Sequence, residues 1–110
     1  MTDPKLQSTI NALLGCHRSC IRQVGESIDK GGNHAARTHI TALMDCADVC
    51  RLAGDMLDRH STWTSSLCEL AAEVCSRTAD TCERLGEVAC ANACRAAADL
   101  SADLVGQFAR

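Results

Sequence analysis

Aromatic residues are almost missing from this 110-residue chain, which has one Trp (Trp63), one Phe (Phe108) and no Tyr. A core built on aromatic packing is therefore excluded, and apolar volume must come from the plentiful Ala and Leu. Val and Ile are few, a balance that favours helix over strand. The single Pro is Pro4, too near the start to break any later element. No run of about 18 apolar residues occurs, so no membrane-spanning helix is expected. No basic stripe is visible at a net charge of −3, so neither nucleic acid nor anionic lipid is an expected partner. The segment Met1–Lys5 lacks the charged and apolar regions of an export signal, and a cytoplasmic location is the expectation. Gly-rich phosphate loops and Ser-His-Asp-like arrangements are also lacking, so the chain is not read as an enzyme.

What is abundant is cysteine, with nine residues. A reducing compartment disfavours disulfides, and an odd number rules out complete internal pairing. The thiols therefore point to metal or redox chemistry. Neither the C-x-x-C of redox proteins beside a βαβ unit nor the loop spacing of iron–sulfur ligands is present.

Breakers divide the chain into four helices. Thr2 or Asp3 caps the first, which opens with Pro4 and runs to about Asp29. Gly31-Gly32 ends it, and Asn33 is the expected cap of the second helix, which runs to about Arg59. His60-Ser61-Thr62 makes the next break, with Ser61 or Thr62 as cap. The third helix spans about Trp63 to Leu85, Gly86 terminates it, and the fourth reaches about Phe108. Short connections predict an all-α, antiparallel, up-down-up-down four-helix bundle in one domain, residues 1–110.

The cysteines fall on the seams of these helices. Helix two carries His39, Leu43, Cys46, Cys50, Ala53 and Leu57, spaced 4, 3, 4, 3, 4. Helix three carries Cys68, Ala71, Cys75, Thr78, Cys82 and Leu85, spaced 3, 4, 3, 4, 3. Helix four carries Cys90, Cys94, Ala97, Ser101, Leu104 and Phe108, and helix one carries Leu13, Cys16 and Cys20 in the same phase. These positions face the other helices. One buried Cys is most simply a small hydrophobe. All nine on seams otherwise filled by Ala, Ser and Thr leave little apolar volume, and close packing then calls for something between the helices.

Three pairs have the form CxxxC: Cys16 with Cys20, Cys46 with Cys50 and Cys90 with Cys94. Such pairs share a helix face with Cβ atoms roughly 5–6 Å apart, too far for an unstrained disulfide. Two such sulfurs can still flank a soft ion. Cu(I) prefers thiolate. Zinc wants four ligands, and two pairs on facing helices can supply a Cys₄ site, so Zn stays open as an alternative. Counting from the turns places Cys82 and Cys90 nearest Gly86. Cys20, Cys75, Cys94 and His39 come next, then Cys16 and Cys46, and finally Cys50 and Cys68. The candidate metal ligands are those nine cysteines together with the seam residue His39. His17, His34 and His60 fall on exposed or loop positions, where solvation is expected. Met44 is expected to pack rather than ligate.

The stretch Asp45-Cys46-Ala47-Asp48-Val49-Cys50-Arg51-Leu52-Ala53, followed by Cys68-Glu69-Leu70-Ala71-Ala72-Glu73-Val74-Cys75, resembles the four-helix-bundle copper storage proteins, a Cys-rich bacterial family. The resemblance extends from Cys16 to Ser101. It implies a bundle that fills its core with thiolate-bound Cu(I), and in some members a homo-oligomer (dimer or tetramer). Ala71, Thr78, Ala97, Ser101 and His39 occupy seam positions where richer members tend to carry further thiols. That difference leaves open a smaller cluster, a chaperone-like role or another soft metal. The competing readings from the residues alone are a partner-binding bundle with packed thiols and a zinc- or redox-linked one.

Overall fold

The computed structural model describes residues 3–108, without the side chain of Phe108. The expectations placed on Thr2 and on the Phe108 side chain lie outside the described residues. The order is α1 (Pro4–Lys30), a 3-10 turn (Gly32–Ala35), α2 (Arg37–Asp58), α3 (Thr64–Arg84) and α4 (Val88–Phe108). No strand occurs among the described residues.

Local chemistry sets each boundary. Asp3 caps α1 by accepting the Lys5 N–H at 2.9 Å, and Pro4 stands at the first turn, where a missing N–H costs nothing. At the other end Gly31 turns the chain with φ 74°, and its N–H reaches the Ser27 carbonyl. The expected cap, Asn33, does not cap α2. It lies inside the 3-10 turn, where its carbonyl accepts the Ala36 N–H, and α2 starts only at Arg37 behind an uncapped Ala36. The delay has a use: the turn brings His34 to Glu87 on the far side of the bundle.

The break between α2 and α3 is a Schellman closure. The Ser61 N–H returns to the Met56 carbonyl and the His60 N–H to the Leu57 carbonyl, with His60 at φ 56°. The Ser61 hydroxyl accepts the Trp63 N–H, so Ser61 stabilises the turn rather than capping α3. Gly86, at φ 74°, ends α3 with the same motif, the Glu87 N–H bonding the Cys82 carbonyl at 2.8 Å.

The helices pack as a closed ring, α1 against α2 and α4, and α3 against α2 and α4, with overall extents of 46 × 20 × 19 Å. All nine cysteines are buried, together with Leu13, Leu43, Leu57, Leu104 and seven alanines. The seam assignments hold for Ala53, Ala71, Thr78, Ala97 and Ser101 as well. Leu85 is only half-buried because α3 stops at Arg84. Met44 points outward, 48% exposed, and does not pack in the core as expected. Its position one residue after Leu43 rotates it off the seam.

The two ends differ in chemistry. Ile10, Leu13, Leu57, Leu67 and Leu104 close the end near the Ser61 turn. Gln23, Ser27, His39 and Glu87, all buried, occupy the end near Gly86.

His60 is the one non-glycine residue with positive φ among the described residues. A left-handed conformation costs an L-residue roughly 1–2 kcal/mol, which glycine avoids at some cost in unfolded-state entropy. His60→Gly should therefore raise stability by about 0.5–1 kcal/mol in denaturant unfolding. A loss of stability would show that the His60 side chain holds the turn.

Candidate metal centre

The i, i+4 spacing places both members of each CxxxC pair on the seam, and the antiparallel ring interleaves them with thiols from neighbouring helices. The Sγ atoms form a continuous chain. Cys50 meets Cys75 at 3.3 Å, Cys75 meets Cys46 at 3.8 Å, and Cys46 meets Cys16 at 3.9 Å. Cys16 meets Cys94 at 3.6 Å, Cys94 meets Cys20 at 3.8 Å, and Cys20 meets Cys90 at 3.7 Å. Every one of these contacts joins two different helices, so all four contribute to one column.

Within the column two groups of four sulfurs lie mutually within 4.8 Å: Cys16, Cys46, Cys50 and Cys75, and Cys16, Cys20, Cys46 and Cys94. They share Cys16 and Cys46. Ligands 2.3 Å from a shared ion stand roughly 3.8 Å apart in a tetrahedron and roughly 4.6 Å apart across a two-coordinate ion. The contacts along the chain, 3.3–3.9 Å, lie near the tetrahedral separation, and within each group of four no pair exceeds 4.8 Å.

Layering inferred from residue counts needs one correction. Cys75 lies beside Cys46 and Cys50, one layer further from Gly86 than expected. His39 lies beside Cys82 rather than level with Cys20. The interhelix stagger created by the 3-10 turn moves α2 relative to the count. Cys68 is fully buried but shares none of these sulfur contacts.

Hydrogen bonding orders the thiols electrically. Cys46 is held below the ordinary thiol range by hydrogen bonding with Cys16 first, then with Cys20, Cys50 and Cys75. Cys90 is lowered by Cys20, Cys82 and Cys94 in the same way. Cys20, Cys50, Cys75 and Cys94 are pushed up, first by hydrogen bonding with Cys16, with burial adding to the effect. No Lys or Arg is buried among the described residues, so no protein cation neutralises thiolates in this column.

A third group joins His39, Cys82 and Glu87, all buried and mutually within 4.8 Å. Glu87 is the centre of a hydrogen-bonded cluster. Its Oε1 lies 2.7 Å from His39 Nε2, and its Oε2 lies 2.8 Å from His34 Nδ1 and accepts the Ser27 hydroxyl at 3.0 Å. Gln23 in turn donates to Ser27. Burial would raise the Glu87 carboxyl, but the bonds from His34, His39 and Ser27 outweigh it and hold it below its usual range. Cys82 is pushed up by Cys90, by burial and by the Glu87 charge.

Two histidines expected in solvent are engaged. His34 is bonded to Glu87, and His17 is half-buried with Nδ1 2.8 Å from the Ala47 carbonyl. His60 is exposed as expected. Glu87 itself went unread, although its signal is present: it precedes Cys90 and Cys94 at spacings of 3 and 4, on the seam. Gln23 and Ser27 continue the α1 seam beyond Cys20 in the same manner.

A family model described as "Copper storage protein" matches residues 2–105. The chain belongs to the copper storage protein family. One relative is the uncharacterized cysteine-rich protein YhjQ of Bacillus subtilis (strain 168), 25% identical over 76 residues, covering 69% of this chain and 70% of that one. Among solved structures, the Nmul_A1745 protein from Nitrosospira multiformis superposes with a TM-score of 0.92 at 30% identity, covering 96% of this chain and 99% of that one. The family assignment and the buried thiol groups together establish a bundle suited to binding metal.

Cys68 offers a clean pH signature because burial alone pushes its thiol from 9.0 up to about 11. In the metal-free protein the unfolded thiol releases its proton near pH 9, while the folded one keeps it to about 11. Its contribution is therefore whole below pH 9 and is lost as pH rises through about 11. Cys68→Ala should flatten the fall in stability over that window, measured by denaturant unfolding at several pH values. An unchanged slope would place Cys68 in a solvated environment.

Proposed function

We propose that the protein binds and stores or buffers Cu(I) through its core thiolates, limiting free copper in the cytoplasm, as a binding protein without catalysis. Cys16, Cys20, Cys46, Cys50, Cys75, Cys90 and Cys94 are the principal ligands. Cys68 is an outlying thiol at the apolar end, while Cys82 and His39 stand at the polar end.

One observation carries this reading: a chain of seven touching sulfurs with no buried cation beside it. Thiolates in a dry core need their charge cancelled locally. One Cu(I) per thiolate achieves neutrality, and bridging sulfurs satisfy the low coordination numbers that this soft ion accepts. A Zn(II) ion in a Cys₄ group leaves two negative charges unbalanced, and the two groups compete for Cys16 and Cys46. The alternative of Zn therefore fits the distances but fits the charge poorly. Packing alone explains buried thiols, yet not their threading into one column.

Replacing Cys46 and Cys50 together with Ser tests the reading against packing. Cys46 belongs to both four-sulfur groups, so Cu(I) capacity, titrated anaerobically against a competing chelator, should fall by roughly half or more. The helices should remain by circular dichroism, at a stability cost of about 1–3 kcal/mol per buried hydroxyl. Full capacity in a destabilised double variant would mean that these thiols serve packing.

A further inference from the structure

We infer that the 3-10 turn Gly32–Ala35 is a hinged strap that gates the thiol column at its polar end, with His34 as the latch. Copper as the solute that passes the gate rests on the storage reading; the gate itself does not.

The column has no open mouth. All nine cysteines are at most 1% exposed. Ile10, Leu13, Leu57, Leu67 and Leu104 plug one end, and opening there would bring apolar surface into water. The other end is closed by polar groups. Cys82 lies within 4.8 Å of donor atoms of buried His39 and Glu87, and it is hydrogen-bonded with Cys90, whose sulfur meets Cys20. The last thiols of the column therefore sit directly beneath the Glu87 layer.

The strap is the part of this closure that moves at least cost. None of its residues is buried, and its backbone packs only against the two helices that it joins, α1 and α2. Gly31 and Gly32, at φ 74° and 56°, flank its start, where the absence of a Cβ lets the backbone turn freely. Ala36, at its other end, opens α2 without a side-chain cap. Among the described residues one side-chain hydrogen bond ties the strap to the opposite half of the bundle: His34 Nδ1–H donates to Glu87 Oε2 at 2.8 Å. The Glu87 side chain is wholly buried while that of His34 is 25% exposed, so the imidazole is the layer between the carboxylate and solvent. When the strap lifts, Ser27 and His39 still pair both oxygens of Glu87. Opening therefore breaks one hydrogen bond, uncovers no apolar residue of the strap, and lets water reach the layer above Cys82 and Cys90.

The test labels the full chain, reduced and metal-free, with iodoacetamide and reads the initial rate at each thiol by peptide mass spectrometry. His34→Ala removes the latch, while His34→Asn keeps an amide donor near the Nδ1 position. Cys82 and Cys90 should be labelled ahead of Cys50, Cys68 and Cys75 in the parent. Their labelling should accelerate roughly tenfold in His34→Ala, the factor that one charge-assisted hydrogen bond supplies, and return towards the parent rate in His34→Asn. Rates at Cys50, Cys68 and Cys75 should not change, and circular dichroism checks folding. From the Cu(I)-loaded chain, a competing chelator should withdraw copper roughly tenfold faster in His34→Ala, at unchanged capacity. Unchanged labelling of Cys82 and Cys90, equal acceleration of every thiol, or no recovery in His34→Asn would each overturn the gate. Faster labelling with unaltered copper withdrawal would overturn the strap as the route of copper. A parent chain that takes up no copper would sink the storage reading alone, because the labelling rates still decide the gate.

Discussion

Charge neutrality in a dry core is the constraint on which this molecule depends. Nine thiols are enclosed by four helices, and no Lys or Arg among the described residues enters with them. Without metal the column must stay mostly protonated, and hydrogen bonds from sulfur to sulfur share what acidity there is. With metal, each thiolate requires a positive partner on the spot. The small residues on the seams make this possible. Ala71, Ala97 and Ala53 bring backbones close enough for sulfurs from different helices to touch, while Leu13, Leu43, Leu57 and Leu104 supply the apolar volume that the sulfurs do not.

The difference between the two ends gives the bundle a direction. Leucines seal one end, and a Glu87-centred network of His34, His39, Ser27 and Gln23 occupies the other. A buried carboxylate is costly unless its oxygens are paired, and here both are. The network in turn depends on backbone details: Gly31 and the 3-10 turn deliver His34, and Gly86 with its Schellman closure sets Glu87 at the start of α4. The apolar end keeps water away from the sulfurs, and the polar end adds His39 and Glu87, nitrogen and oxygen donors beside the thiols.

Much of this was legible in the sequence because helical periodicity is strong. The 3- and 4-residue spacing put every cysteine inside, as the structure shows, and Gly31, Gly86 and the His60–Thr62 break marked the turns. Asn33 misled because a good capping residue does not cap when two preceding glycines start a 3-10 turn. The layer of Cys75 escaped because stagger between helices depends on the connections, which residue counting ignores. Glu87 escaped for a different reason. A charged residue after a helix terminator reads as solvated, and only its tertiary partners from α1, the 3-10 turn and α2 make burial affordable. His34 was hidden likewise, since its partner is 53 residues away.

Native mass spectrometry under anaerobic conditions tests the central claim most directly, because it counts metal and displaced protons together. The neutrality argument predicts that the protein takes up Cu(I) to at least the seven thiols of the sulfur chain, each ion displacing about one proton. Saturation at one or two ions per chain, each displacing several protons, would contradict it and point to isolated Cys₄ sites instead.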